Sequence, residues 1–423
     1  IEDIKTTTFD EAVPFSWQSF PEYLDHIRPK LGINVGALIG HSAIRLFVMG
    51  PESQEREATQ EEISKMCDIV REAMRAGALG ISSSYVDIDE NGDPVPSRFA
   101  GFDEKVALAQ AMGESGRGIW QVVPYFPDMK QQLDNIRELG DISLAANVPC
   151  SLQPVLSSPT SPNAEELIEA LEKEQARGAR VFGQTMPRCF DLNMRLSETS
   201  MLLYALPRWK KIMDLPREQR LEQFKEQKSE LVNEMKDAKG MSGSIPFLKV
   251  GSVKSDENQR YQGQYLGSIA QEENKELGEV ILDLSIRDNL DTEFQLQNVI
   301  NADKQAVAKI VSHPLCHFGA SDAGAHITQF CGTGDTSHLL QHYVRETSTF
   351  SLEEAIHKMT GELAVDWGLA DRGTLEEGKA ADIVIFNSET VSVGKEEFVD
   401  DFPGEARRYV RKSEGYDVVI VNG

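Results

Sequence analysis

Cysteine is scarce, and it is badly spaced for a framework. The five, Cys67, Cys150, Cys189, Cys316 and Cys331, are odd in number and far apart. No pair has Cys-x-x-Cys spacing, which excludes a zinc ribbon. Reduced thiols in a cytoplasmic setting are expected, with Cys150 and Cys316 as small core residues. No apolar run reaches the roughly 18 to 20 residues that cross a bilayer, so no membrane partner is expected. Positive charge is in deficit: 43 Lys and Arg face 68 Asp and Glu, a net charge of −25. Such a surface repels a phosphate backbone and excludes nucleic acid as a partner. The acidic surplus itself reads as solvated helix faces. There is no signal-peptide pattern, internal repeat or low-complexity tract. The chain opens at Ile1 rather than methionine and stops at Gly423 just after an apolar run, so a fragment of a longer protein is expected.

What is present is length and rhythm. The 423 residues, 40% hydrophobic and 26% charged, suit a large α/β barrel with a smaller companion domain. Residues 20–27 read as a short helix, and 34–41 (NVGALIGH) as a buried strand with His41 at its C-terminal end. Thr59 stands three residues before Glu62, a capping box. Ile63, Met66, Val70 and Met74 then recur at helical spacing until Gly77 and Gly80 close the helix. A strand into Ser82, Ser83, Ser84 and Tyr85 follows. Strands over 118–123, 149–156 and 179–185 then alternate with helices over 103–115, 129–139 and 163–175. Short apolar strands alternating with such helices predict βα units and a parallel sheet covered on both faces. The rhythm breaks over 187–303, read as a helical insertion with helices at 215–239 and 277–290. It resumes with a helix over 304–311 and a strand over 313–322 that ends in Asp322. Residues 1–372 are thus assigned to the barrel. From 373 the strands 383–386 and 416–421 lack crossover helices and form a separate small β unit, 373–423.

In a TIM barrel the chemistry gathers where strands end. His41, Ser84, Tyr85, Gln121, Gln153, Gln184, Arg188, and Asp322 with His326 all stand at strand ends, so one shared polar mouth is expected. Arg45 and Arg188 are candidates to clamp a substrate carboxylate in a bidentate pair, with ordinary ion pairing as the alternative. Taken alone, an aspartate in a Ser-Asp-Ala-Gly turn is more often a helix N-cap than a catalyst. His317, mid-strand, faces either into the barrel or out of it. His313 reads as structural, His26 as exposed, and His338, His342 and His357 as helix-borne surface or core residues.

Four motifs follow one another in a telling order. Residues 34–50 read NVGALIGHSAIRLFVMG, with REAT at 56–59. Residues 76–83 read AGALGISS, and 321–326 read SDAGAH. Met359-Thr360 then leads through Asp371-Arg372-Gly373 to GKAAD at 378–382. Together they resemble the N-acyl-D-amino-acid deacylases, or D-aminoacylases, of the amidohydrolase superfamily, and the resemblance covers nearly the whole chain. It implies a TIM-barrel, metal-dependent hydrolase of non-peptide carbon–nitrogen bonds, acting on a small acylated amine or amino acid. It implies zinc at the barrel mouth, where metal lowers the pKa of bound water to roughly 7. Asp322 matches the last-strand aspartate, which binds metal, takes the water's proton and passes it to the leaving nitrogen. His326 is implied as a contact to metal or substrate. By their own placement and chemistry, His41, Arg45, Ser84, Tyr85, Gln121, Gln153 and Arg188 are candidate substrate-binding residues.

The sequence also departs from that pattern. The family opens its barrel with a His-x-His strand and ends its second strand in a metal-binding cysteine. No His-x-His occurs anywhere in this chain, and about two of eight strands are expected to be missing. Histidines that end the family's fifth and sixth strands have no counterpart in residues 120–123 or 151–154. Zinc is therefore expected in a full-length protein, but weakly or not at all in this chain. Two other readings stay open: a catalytically silent barrel that binds a small acylated ligand, and a metal-independent hydrolase using Asp322 with His326.

Overall fold

The structure is a computed structural model that describes every residue except 1–3, 5, 90, 158–163, 204 and 405. The expected helix start at Asn163 lies outside the described residues; the helix is described from Ala164 to Ala176. The first parallel strand, β1 (Leu38–Gly40), stops one residue short of His41, which instead begins a helix, His41–Met49. Next come β2 (Gly80–Ser84), β3 (Ile119–Val123), β4 (Cys150–Leu152) and β5 (Val181–Thr185). The chain then leaves the sheet through β6 (Phe190–Met194), β7 (Lys249–Val250) and β8 (Phe294–Ile300). It returns as β9 (Cys316–Phe318), which pairs with β5. The described sheet has six strands, all parallel, in the order β1-β2-β3-β4-β5-β9.

Local sequence explains the helix that joins β1 to β2. Thr59 Oγ1 accepts from Glu62 N at 3.3 Å, and the Glu62 carboxylate accepts from Thr59 N at 2.7 Å. This box satisfies backbone donors that the first turn of Gln60–Ala76 would otherwise leave unpaired. Ile63, Met66, Val70 and Met74 form its buried stripe. Gly80 then opens β2 at φ 147°, where a Cβ would stand 2.0 Å from Ile119 O. Only glycine lets β2 approach β3 so closely there.

The side on which the helices lie decides the architecture. Ile81, Trp120, Val122, Cys150, Leu152, Val181 and Cys316 share one core with residues of the helices Gln60–Ala76, Phe102–Gly113, Met129–Ala146, Ala164–Ala176 and Lys304–Ser312. All these crossovers therefore cover one face of the sheet. A doubly wound sheet would place helices on both faces, whereas a barrel keeps its helices outside. The opposite, inner face carries Ser82, Gln121, Ser151, Phe182, Gln184 and His317, by strand alternation and register.

The excursion after β5 is a unit with its own core of Leu192, Met194, Trp209, Phe224, Leu231 and Phe294, among others. It contains the expected helices, Arg217–Glu226, Lys228–Met235 and Leu277–Arg287. It also contains an antiparallel sheet, order β6-β8-β7, that the sequence reading lacked. Beyond the barrel, β10 (Ile383–Phe386) pairs antiparallel with β13 (Tyr416–Ile420). Between them, β11 (Ser392–Phe402) and β12 (Ala406–Glu414) form a long hairpin. None of these four strands joins the parallel sheet.

Candidate active site

The segment after β9 leaves regular structure and bends sharply. Ala320, Asp322 and His326 all take left-handed backbone conformations, with φ of 59°, 54° and 48°. Aspartate tolerates this region, whereas alanine is strained there. Such strain persists only where surrounding structure enforces it, and it gathers at functional sites. Asp322 O accepts from Ala325 N at 3.1 Å, and His326 O accepts from Gln329 N at 2.8 Å, so Asp322 and His326 lie on one compact turn. Asp322 remains open to solvent, on a turn whose Gly324 and Ala325 border a surface cleft. Desolvation there raises its carboxyl above the ordinary range, against the pull of His326; Asp87 raises it further. Asp87 comes from the loop after β2, where Ser84 Oγ accepts from its backbone N at 3.0 Å. The loop after β2 therefore bears electrostatically on the carboxylate of the loop after β9.

Below this loop the inner face is a polar row. Ser82 Oγ donates to Gln121 Oε1 at 3.1 Å, and Gln184 Nε2 donates to Ser151 Oγ at 2.9 Å. Gln121 Nε2 is buried with no partner among the described residues. His317 faces this row. Its ring stacks on Phe182 at 4.5 Å between centroids, its Nε2 lies 2.7 Å from Asp366, and its buried Nδ1 has no partner among the described residues. Ser82, Ser151 and Asp87 were not singled out from the sequence. Two-residue alternation back from Ser84 and Gln153 was the available signal for the first two.

The structure divides the expected site residues into two groups. Asp322, His326, Ser84 and Gln121 belong to the mouth and inner face, and Gln153 stands at the C-terminal end of β4. His41, Arg45 and Tyr85 are buried on the helix-covered side. His41 is wholly buried, with Nδ1 3.0 Å from Ser83 Oγ and Nε2 2.8 Å from Glu104 Oε1. Burial pushes its pKa down, so its neutral ring accepts from Ser83 and donates to Glu104. Arg45 bonds the same carboxylate and the carbonyls of Ser53 (3.2 Å) and Arg56 (2.9 Å). Tyr85 packs in the apolar core beneath Lys105 Nζ, 4.3 Å from its ring centroid. These three side chains are spent on internal contacts and are not brought to the mouth. Arg188 lies just past β5 and pairs through Nε with Asp335 Oδ1 at 2.5 Å; its Nη2 and Asp335 Oδ2 are buried without partners among the described residues. Burial raises the Asp335 carboxyl against the pull of Arg188.

A tight zinc site needs three or four well-placed nitrogen, sulfur or oxygen ligands. Among the described residues no group of three or more His, Cys, Asp or Glu is placed to hold a metal ion. The described residues do not by themselves fit a zinc centre. Two depressions mark the surface. The larger, about 400 Å³, lies between the outer helices Met129–Ala146 and Ala164–Ala176 amid Arg137, Glu166, Lys173 and Glu174, away from the strand ends. The smaller, about 220 Å³, borders the Asp322–His326 turn and is walled by β12.

A parallel α/β sheet whose crossover helices all cover one face has the arrangement of a barrel. Residues 9–423 match the amidohydrolase family, and the chain belongs to it: a hydrolase acting on carbon–nitrogen bonds other than peptide bonds. It is 26% identical over 403 residues to the D-aminoacylase of Alcaligenes xylosoxydans xylosoxydans, covering 90% of this chain and 67% of that one. An uncharacterized protein of Mycobacterium tuberculosis is 24% identical over 453 residues, covering 96% and 70%. The crystal structure of N-acyl-D-glutamate deacylase from Bordetella bronchiseptica, complexed with zinc and a phosphonate inhibitor, superposes with a TM-score of 0.61 at 20% identity. It covers 96% of this chain and 71% of that one. That likeness shows the fold, a TIM-barrel-like α/β sheet with a C-terminal β region. Among the described residues no helix is long and apolar enough to cross a membrane.

Proposed function

We propose that the protein deacylates a small N-acyl amino acid, with Asp322 as the proton carrier. The observation that supports this most is Asp322 itself: a carboxylate on a strained turn after β9, with its pKa raised by desolvation and by Asp87. A general base works best when its pKa lies near the working pH, and this environment moves Asp322 that way. In the step derived from the chain's own residues, Asp322 takes a proton from water as the water oxygen bonds to the acyl carbon. It returns that proton to the amide nitrogen as the carbon–nitrogen bond breaks, leaving a carboxylic acid and a free amine. The names of the relatives, D-aminoacylase and N-acyl-D-glutamate deacylase, support this substrate class. The five free cysteines support a reducing, cytoplasmic setting.

A second reading, a silent barrel that binds a small acylated ligand, is favoured by the lack of a three-ligand cluster among the described residues. Amine release from N-acetyl-D-amino acids separates the two. Asp322→Asn should lower turnover about 10²- to 10⁴-fold, the range for losing a general base, with an unchanged circular dichroism spectrum. Absence of amine release by the wild type, with or without added zinc, would favour the silent barrel.

A further inference from the structure

The cleft of about 220 Å³ has two walls of different origin. One is the loop after β9, contributing Ile327 and Phe330. The other is the β11–β12 hairpin, contributing Phe402, Arg408, Val410 and Arg411. The walls are joined directly: Tyr409 N donates to Ile327 O at 2.8 Å, and Arg411 Nη1 donates to Thr333 O at 3.2 Å. Gly324 and Ala325, between Asp322 and His326 in sequence, also border the cleft. The cleft thus shares a wall with the turn that carries the proposed proton carrier. It is smaller than the roughly 300–1,000 Å³ of drug-sized ligand sites, which suits a small metabolite.

Its chemistry is that of an apolar acid. Ile327, Phe330, Phe402 and Val410 offer apolar surface beside two guanidinium groups. On a chain of net charge −25 an anion is repelled over most of the surface, and this cleft is lined by two arginines, each already paired with a carboxylate. Arg408 is held by Asp401 through two bonds of 2.7 and 2.8 Å. Arg411 bonds Glu396, whose side chain is 34% exposed, and the carbonyl of Thr333; its Nε is buried without an acceptor among the described residues. A guanidinium whose carboxylate partner is partly exposed, and so displaceable, is suited to receive another carboxylate in its place.

We propose that this cleft is the subsite for the acid half of the substrate. Arg411 receives the carboxylate of an N-acyl amino acid, and its apolar side chain lies among Ile327, Phe330, Phe402 and Val410. The proposal rests on the deacylase reading for the identity of the ligand, but its test does not need turnover. Binding of N-acetyl-D-leucine, N-acetyl-D-leucinamide and N-acetylglycine is measured by calorimetry on the full chain carrying Asp322→Asn. The free acid should bind about tenfold to a hundredfold tighter than its amide, the scale of a charge-assisted hydrogen bond. Adding Arg411→Gln should bring that ratio close to one, and Arg411→Lys should restore part of it. Phe402→Ala removes the ring over which Arg408 lies but touches no partner of Arg411. It should reduce the preference for leucine over glycine about tenfold, the scale of a few lost methylene contacts, and leave the acid-to-amide ratio unchanged. No binding of any probe, no preference for the acid, or a preference that survives Arg411→Gln would overturn the proposal. If Arg411→Gln does not fold, an unchanged leucine preference in Phe402→Ala overturns it alone. A wild type that shows the acid preference but releases no amine would uphold the subsite while refuting the deacylase reading.

Discussion

Glu104 holds His41 and Arg45 together, and its side chain is only 2% exposed. Burial alone would raise its carboxyl, but the bonds to His41 and Arg45 more than offset this and hold it below the ordinary range. The cluster is therefore Glu104 ionised, Arg45 charged and His41 neutral. Glu104→Gln would leave a buried guanidinium without its countercharge, which costs about 3–5 kcal/mol; the denaturant midpoint should fall accordingly. The pH dependence follows from His41. Its folded pKa is depressed, so below about 6.5 the unfolded chain binds the extra proton and the folded chain resists it. His41 thus favours folding most strongly above that pH, and its contribution is lost as pH falls towards the depressed folded value. A stability profile that rose on acidification from pH 7 to 5 would contradict this.

Two residues at the scale of the βα element show the difference between a cap and a close approach. Thr59→Ala removes one side-chain acceptor at the start of Gln60–Ala76 and should cost about 1 kcal/mol. Gly80→Ala should cost more, above about 1–3 kcal/mol, because φ 147° is strained for any Cβ and the new atom would meet Ile119 O. Thermal melts of the two single mutants check the order. Equal shifts would mean that β2 and β3 can separate without penalty. The capping box and the buried stripe of this helix were both legible, since each depends on residues within one or two turns. The sheet of the inserted unit was not. Its β7 is two residues long, and β8, FQLQNVI, begins with a period-two alternation whose antiparallel partners lie about 50 and 100 positions upstream.

For the whole molecule, the hairpin ties the inserted unit to the loop after β9. Arg407 bonds Glu198 and Asp291 of the inserted unit, while Arg195 and Tyr409 share Glu293. On its other side the hairpin pairs with Ile327 and Thr333. Arg407→Ala should therefore loosen β11, β12 and residues 322–334 together. Amide hydrogen exchange there should speed up roughly tenfold or more, as expected for losing charge-assisted bonds of about 1.5–3 kcal/mol. Exchange in β2 to β5 should not change. Acceleration confined to the hairpin would show that the loop holds its shape unaided.

The sequence by itself determined the βα rhythm, the place of Asp322 after the last parallel strand and the presence of a tail outside the barrel. Each of these is written in local periodicity, caps and short motifs, which neighbouring residues suffice to encode. It also carried the family, through motifs whose order spans nearly the whole chain. Only the tertiary structure decided which polar residues share a mouth. His41 and Arg45 sit near a strand end in sequence, yet they turn to the helix-covered side because Glu104, 63 and 59 residues away, offers them a buried carboxylate. Arg411 reaches the edge of the proposed site from 89 residues beyond Asp322, through a hairpin pairing that strand periodicity does not announce. Side-chain partners so distant in the chain are chosen by packing and charge compensation, and those forces act only once the fold has brought them together.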